Sequence, residues 1–585
     1  MIVKNEEKYL PRCLNSIKDI VDEIIIVDTG SIDKTVEIAE NFVAKVYHYK
    51  WNNSFSEARN ESLKYANNDW ILIMDADDEF CNEDKEKFKE LLNDTMDKTS
   101  VYFFETLNYC GSTVDSNNIS VNLNPRVFKN NYGFKYEGEV HNQLVNTMYP
   151  VKDITQSIRI YHYGYLEGSI TSKNKRARNI TLLEAQIKKD PDNNYTHFNL
   201  GNEYFALGNM EKALEYFYKS YKNFNPNTGY GFILLEKIIL ANYAIKKYDK
   251  ALEFAEFSTN CFPSLTDIHF LKAMVYRDLS KPTLEIKALE KCIELGEPPS
   301  ELKFLYGTGS FKAFYDLGNV YAKLKDYETA YKYYLETIRS KPDYLAPLYN
   351  IGHILKEEKT PIEEFKPAIE RFFDDYPNAY PIIADIFYSE GYYDVSLEYI
   401  EQCEVNEITS DNLMLLKVKC LIRTCAFEEC MKMDTILNKS PFYFYFSMCK
   451  VISGILTNKF EYASSKINSF KDIPLSDYNK KMLQVYESFL KLFTNEDTEI
   501  LSENKNDKDY TDMIIEIFEI LLIDKKYDEL EITLNLLNLI SDNSVLLLLG
   551  KLYNKYEFVD MAKKEILRSI KEFEIFDAEG LAILI

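Results

Sequence analysis

The sequence predicts a chain of two parts: an α/β domain built on a mostly parallel sheet, then an all-α solenoid of helical hairpins. Three observations carry this. Short β-branched runs alternate with helical stretches over residues 1–165. From about residue 190 the apolar spacing turns helical throughout. From there, small and aromatic residues also recur with a period of about 34 residues. At 585 residues the chain exceeds a single core, and 46% hydrophobic with 28% charged residues fits a globular protein.

The α/β part reads as follows. Met1-Ile2-Val3 is a first strand cut short by the polar KNEE turn at 4–7. EIIIVDTG (23–30) is a buried strand ending in an Asp-Thr-Gly turn, and SIDKTVEIAENF (31–42) is a helix with Ser31 and Asp33 as capping residues. AKVYHYK (44–50) is the next strand, SFSEARNESLKYA (54–66) a helix, and DWILIMD (69–75) a strand. The order β-α-β-α-β with acidic residues at the strand ends points to an open sheet that binds its ligand beyond the carboxyl ends of the strands.

In the helical part, Leu200, Gly201, Tyr204, Gly208, Ala213 and Phe217, with Pro226 one place late, form one copy, and Leu317, Gly318, Tyr321, Ala330, Tyr334 and Pro342 form a second. Ala251 and Pro263 mark a degenerate copy between them, and Ile351, Gly352 and Pro377 one after. This is the tetratricopeptide pattern, in which small residues let two helices approach and aromatic residues fill the groove between them. The expected boundaries are an α/β domain at 1–168, a connecting helix at 169–190, repeats at 191–378 and degenerate helical repeats at 379–585.

The bulk composition narrows the partners. A net charge of −24 disfavours nucleic acid and anionic membranes, which select clustered Lys and Arg. No apolar run is long enough to span a bilayer. Ten scattered cysteines form no CxxC, so reduced thiols in a cytoplasmic protein are expected.

The chemistry is expected in ILIMDADDEF (71–80), where Asp75, Asp77, Asp78 and Glu79 follow a buried strand and no Lys or Arg occurs from Tyr65 to Asp84. Two carboxylates about 4 Å apart repel by roughly 4 kcal/mol at an effective dielectric near 20. Protonation, open solvent or a divalent metal must offset that. The oxygen-rich Asp75/Asp77 pair suits Mg²⁺ or Mn²⁺ bridging to a diphosphate. Two further stretches belong with it. IVDTGSIDKT (26–35) puts Asp28 at a strand end before a helix N-terminus, and FSEARNESL (55–63) puts Arg59 and Asn60 on a helix. KNKRARN (173–179) gathers Lys173, Lys175, Arg176 and Arg178, read either as a solvated helix face or as a diphosphate clamp. Trp51 is read as packing at a strand end.

Together, IVKNEE, VDTGSIDKT, FSEARN and MDADD resemble the family 2 glycosyltransferases of GT-A fold, in particular the bacterial subgroup that continues into tetratricopeptide repeats. The peptide S-glycosyltransferases share this layout. The resemblance covers residues 1 to about 225. It implies that Glu6 and Asp28 hold the base and ribose of a nucleotide-sugar, UDP-sugars being favoured, with Arg59 assisting. It places Asp75 at ribose or metal, Asp77 as direct ligand of Mn²⁺ or Mg²⁺, and His162 as a late metal ligand, the alternative for His162 being packing among tyrosines. For inverting transfer it implies a carboxylate base in NPRVFKNNYGFKYEGEVHNQL (124–144): Glu139, then Glu137, then His141. The family's usual Glu-Asp is Glu-Val here. The acceptor is expected to be a peptide, protein or saccharide, with the repeats gripping it or pairing two subunits. Two other readings are a repeat scaffold carrying a vestigial transferase domain and a nucleotidyltransferase. The latter ranks last because KNEEKYL (4–10) has no glycine to cradle a triphosphate.

Overall fold

A computed structural model describes the chain apart from residues 53, 94–95, 112–113, 115–118, 139–141, 167–170, 375, 377, 434–435 and 437–438, and of residues 171–175 it gives the helical backbone alone. The chain forms two compact units, Met1–Pro347 and Leu348–Ile585.

The first unit begins β1 (Ile2–Val3), α1 (Leu10–Ile17), β2 (Ile25–Asp28), α2 (Thr35–Asn41), β3 (Lys45–His48), α3 (Phe55–Lys64), β4 (Trp70–Leu72), β5 (Asp78–Phe80) and α4 (Lys85–Asn93). It continues with β6 (Ser100–Gly111), β7 (Ile119–Lys129), β8 (Phe134–Glu137), β9 (Gln143–Asn146), β10 (Lys152–Leu166) and α5 (Thr171–Lys189). β1, β2 and β3 form the expected parallel sheet, in register Val3↔Asp28↔His48. The other main sheet, ordered β4-β7-β6-β10-β5, is mixed, and only β6 and β10 run parallel in it. The reason is connection length. The few residues between β6 and β7 allow an antiparallel return, whereas a parallel crossover takes a dozen or more. β8 and β9 form a separate hairpin.

The core of this domain lies under α1 and α4, where Leu10, Leu14, Phe80, Phe88, Phe104 and Ile160 are buried together. Leu10, Cys13, Leu14 and Ile17 sit at helical spacing on one face of α1. Each such burial contributes about 1.5–3 kcal/mol, and together they fix the strand ends that carry the acidic run.

Four hairpins follow: α6 (Asn194–Ala206) with α7 (Met210–Tyr221), α8 (Gly231–Ala244) with α9 (Tyr248–Cys261), α10 (Thr266–Asp278) with α11 (Pro282–Leu295), and α12 (Phe311–Lys323) with α13 (Tyr327–Ser340). The repeated small residues have a direct cause. A Cβ on Gly201 would lie 2.4 Å from the Phe217 ring, and one on Gly318 would lie 2.5 Å from the Tyr334 ring. Gly318→Val is therefore expected to destabilise this hairpin by about 1–3 kcal/mol, read as a lowered melting temperature. An unchanged melting temperature would show that the helices can separate at no cost. Pro377 of the expected later copy lies outside the described residues.

The connection between α11 and α12 returns to the sheet. Val121 N donates to Phe304 O at 2.7 Å, and Ser120 and Leu305 form an antiparallel bridge along the β7 edge. Lys303 Nζ lies 3.2 Å from Glu105 Oε1, which also accepts from Ser300 Oγ. From below, the Asp267 carboxylate accepts from Phe304 N at 3.1 Å and Leu305 N at 2.7 Å, and from the Thr308 hydroxyl. Burial pushes this carboxyl up to about 6, against the opposing pull of those donors. A carboxyl whose folded value is raised loses stability as pH rises from its ordinary value to its folded one. Protection of the Phe304 and Leu305 amides relative to free peptide should therefore fall between about pH 4 and about pH 6, and Asp267→Asn should flatten that dependence.

The second unit is helical to its end. The loop expected within 494–510 lies between helices Asp477–Thr494 and Lys508–Ile523. Arg423 pairs with Glu519 and approaches Glu516 at 3.6 Å, and Lys555 joins Glu519 at 2.5 Å, so side chains far apart in sequence interlock within this unit.

Candidate active site

Two polar turns at the carboxyl ends of β1 and β2 are laced together. Asn5 N donates to Ser31 Oγ at 3.0 Å, Ile32 N to Asn5 Oδ1 at 2.9 Å, Glu7 N to Asp33 Oδ2 at 3.2 Å and Lys34 N to Glu7 Oε2 at 3.1 Å. Between them Glu6 N donates to Thr35 Oγ1 at 2.7 Å. Asn5 takes a left-handed backbone (φ 56), which Asn tolerates well, and Gly30 takes φ 108, which requires glycine. Asp28 is buried and folds its own turn, accepting from Gly30 N at 3.1 Å and Ser31 N at 3.0 Å. His48, at the end of the neighbouring strand, approaches it at 3.4 Å. Glu6 and Asp28 thus share one rim.

The acidic run divides its carboxylates. Asp75 Oδ1 accepts from Arg59 Nη2 at 2.7 Å, and the guanidinium lies 5.3 Å above the Tyr136 ring. Asn60 exchanges hydrogen bonds of 2.8 and 2.7 Å with the Tyr136 backbone, tying α3 to β8. Asp78 is 1% exposed and fully engaged. Its Oδ2 accepts from Arg126 Nη1 at 2.7 Å and from Asp75 N at 2.8 Å, and its Oδ1 lies 2.9 Å from His162 Nδ1. Arg126 also donates to Ile73 O at 3.1 Å and Thr106 Oγ1 at 3.0 Å. The sequence expectation that no protein cation serves this run is corrected: Arg59, Arg126 and His162 arrive from α3, β7 and β10 through tertiary pairing.

Asp77 and His162 face each other across Gly164. A Cβ at that glycine would lie 2.4 Å from Asp77 Oδ2 and 2.7 Å from His162 Nε2, so the missing side chain leaves the two atoms a shared hollow. Ligand atoms of Asp77, Asp78 and His162 lie within 4.8 Å of one another. Burial would push the Asp78 carboxyl up, but Arg126 and His162 outweigh it and hold it below the usual carboxylate range. Burial would pull His162 down, yet the Asp78 hydrogen bond and the fields of Asp77, Asp78 and Asp75 raise it to about 9. With Nδ1 directed at Asp78, Nε2 is the nitrogen left for a metal. Carboxylate oxygens with one imidazole nitrogen suit Mg²⁺ or Mn²⁺, so the residues present fit a divalent ion, with Asp77 and His162 as ligands and Asp78 behind them.

Residues 1–154 match the family described as glycosyl transferase family 2, and 195–223, 266–295 and 311–344 match the tetratricopeptide repeat. The N-terminal domain is a family 2 glycosyltransferase domain. Over 287 residues the chain is 29% identical to the SPbeta prophage-derived glycosyltransferase SunS of Bacillus subtilis, a match covering 47% of this chain and 65% of that protein. A TPR repeat-containing protein of Synechococcus elongatus is also 29% identical, over 268 residues, covering 43% of this chain and 65% of that one. The chain thus spans less than two thirds of the length of these curated relatives. Among solved structures, a tetratricopeptide repeat protein from Parabacteroides merdae covers 53% of this chain at 14% identity and a TM-score of 0.28.

In this family 2 domain the expected donor residues Glu6, Asp28, Arg59 and Asp75 lie on loops and helix faces at the carboxyl ends of β1, β2 and β4. Of the base candidates, Glu137 ends β8, is exposed and pairs with Lys135 at 2.7 Å. Glu139 and His141 lie outside the described residues. In KNKRARN, Arg176 binds Glu203 at 3.2 Å and Arg178 lies 5.3 Å from the Phe55 ring. Trp51 packs edge-on against Phe55 at 4.8 Å. Neither Asp78 nor Arg126 carries an assigned role in the sequence expectations. The available signal was a lone arginine in an apolar strand (Arg126 in PRVF), which once buried needs an acidic partner. The repeat at 266–295 also escaped. It carries Ala273 at the place of Gly201 and Gly318, and Glu285 at the place of Ala213 and Ala330, and Glu285 is buried against Arg277 at 2.7 Å.

Proposed function

We propose that this chain is a metal-dependent, inverting glycosyltransferase. It moves a sugar from a nucleoside-diphosphate donor, a UDP-sugar in the first instance, to a peptide, protein or saccharide acceptor. The observation that supports it most is the convergence of Asp77 Oδ2 and His162 Nε2 over Gly164, on a domain whose Glu6, Asp28, Arg59 and Asp75 line the strand ends. Asp28 and Glu6 hold the nucleoside: the Asp28 oxygens keep lone pairs beyond those given to the turn amides. Arg59 holds the Asp75 carboxylate in place for ribose. A bound Mn²⁺ or Mg²⁺ supplies Lewis-acid neutralisation of the departing diphosphate. Glu139 takes the acceptor's proton. The repeats grip the acceptor or pair two subunits. Among the described residues no helix is long and apolar enough to cross a membrane, and ten free thiols suit the reducing cytoplasm.

Calorimetric titration with UDP, UDP-glucose, UDP-N-acetylglucosamine and GDP-mannose, each with and without Mn²⁺, tests the reading. Mn²⁺-dependent binding of the uridine set is expected. Silence from every nucleotide would favour a repeat scaffold. Glu139→Gln is expected to bind donor normally and to transfer nothing; normal transfer would return the base role to Glu137 or His141.

A further inference from the structure

Lys237 of α8 stands out in a chain of net charge −24. Its ammonium lies 4.3 Å from the Phe205 ring of α6 and 4.8 Å from the Phe304 ring of the loop that returns to β7. Among the described residues no carboxylate is within ion-pair distance of it. The nearby acids are engaged or neutralised. Glu203 is taken by Arg176 at 3.2 Å and Asn179 at 2.9 Å. Glu236 is fully buried, and burial together with Asp267 holds it well towards the neutral acid.

The surroundings of Lys237 reach towards the metal ligands. Lys237 lies in the fields of Cys110, at the end of β6, and of Arg176 on α5. Arg176 and Cys110 in turn act on Tyr165, which also feels Asp77 and packs edge-on against His162 at 5.1 Å. Glu203, two residues before Phe205 on α6, binds Arg176 of α5, and Arg178 of that same helix lies 5.3 Å from the Phe55 ring at the start of α3, the helix that carries Arg59.

We propose that Lys237, with Arg176 beside it, forms an oxyanion subsite that adjoins the active site and receives a carboxylate of the acceptor or a phosphate of the donor. Among the described residues the ammonium has no counter-ion, and two aromatic faces offset only part of the cost of leaving it unpaired. Burial, with Arg176 adding to it, pulls the amine down to about 8, which leaves it charged at neutral pH. A ligand oxyanion supplies the counter-charge and displaces no carboxylate from Lys237 among the described residues.

The subsite itself rests on geometry alone; naming donor and acceptor rests on the transferase reading. The test is acylation of the full chain by acetic anhydride with peptide-mapping mass spectrometry, run alone and with UDP–Mn²⁺, hexa-aspartate or hexa-asparagine. Lys237 acylation is expected to slow several-fold with an oxyanion and not with hexa-asparagine. Protection by UDP–Mn²⁺ alone assigns the subsite to the donor, and protection by hexa-aspartate alone assigns it to the acceptor. Lys237→Met keeps the stem between the two rings, so it should fold. It should lose about tenfold or more in affinity for the protecting anion, the scale of a charge-assisted hydrogen bond, while Lys237→Arg retains most of it. Acylation unmoved by every anion, with Lys237→Met binding as the wild type does, overturns the proposal. Hexa-aspartate protection in a protein that binds no UDP–Mn²⁺ by calorimetry upholds the subsite and counts against the transferase reading, whereas the same protection in a protein that does bind UDP–Mn²⁺ upholds both.

Discussion

Asp77→Asn is expected to abolish Mn²⁺-dependent nucleotide binding while the protein melts as before. Asp77 contributes to no buried core cluster; what its side chain offers is an oxygen held opposite His162 Nε2. An amide keeps the shape but loses the charge, and a hard divalent ion prefers ionised oxygen. Loss of a ligand exceeds the roughly 10–100-fold cost of disturbing an outer-shell partner, so calorimetry should show no Mn²⁺-dependent heat at millimolar nucleotide. His162→Gln should fall in the same direction. If Asp77→Asn binds UDP–Mn²⁺ as tightly as the wild type, the metal is held elsewhere or plays no part.

Asp78→Ala is expected to act on stability and on the site together. Asp78 and Arg126 form an ion pair with side chains 0% and 3% exposed. Removing the acid strands a buried guanidinium, which costs about 3–5 kcal/mol. The same change releases His162 Nδ1 and the Asp75 amide, so Mn²⁺ affinity should fall by about 10–100-fold. Two readouts separate these effects. The double variant Asp78→Ala/Arg126→Met removes the stranded charge and should recover much of the melting temperature. It should not recover Mn²⁺ affinity, because His162 still lacks its partner. Recovery of both would mean that Asp78 acts only as a counter-ion to Arg126.

The first parallel strands of the domain and the helix between β2 and β3 are legible in the sequence, for identifiable reasons. β2 is a compact β-branched run ending in a turn, and α2 carries helical apolar spacing behind Ser31 and Asp33, so local pattern and tertiary role agree there, whereas α1 (Leu10–Ile17) was not foreseen. The mixed order of the second sheet was not legible, because strand pairing is decided by long-range closure. The site shows the same division. Asp77 and His162 belong to recognisable segments, but the partners of Asp75 and Asp78 come from α3 and β7, many residues away. The repeat at 266–295 escaped because Glu285 and Arg277 replaced small-residue packing with a buried ion pair, which keeps the hairpin and erases its signature.

The loop that carries Phe304 and Leu305 makes the enzyme domain and its hairpins a single indivisible piece. Cut after α5, the protein would expose the unpaired Val121 amide and Ile119 carbonyl on an open sheet edge, the kind of edge that recruits other strands and aggregates. It would also strip Glu105 of Lys303 and Ser300. The repeats therefore cannot be exchanged for another array as a cassette: any chimera must bring its own cover for that edge, and its own acid in the place of Asp267 to hold the cover down.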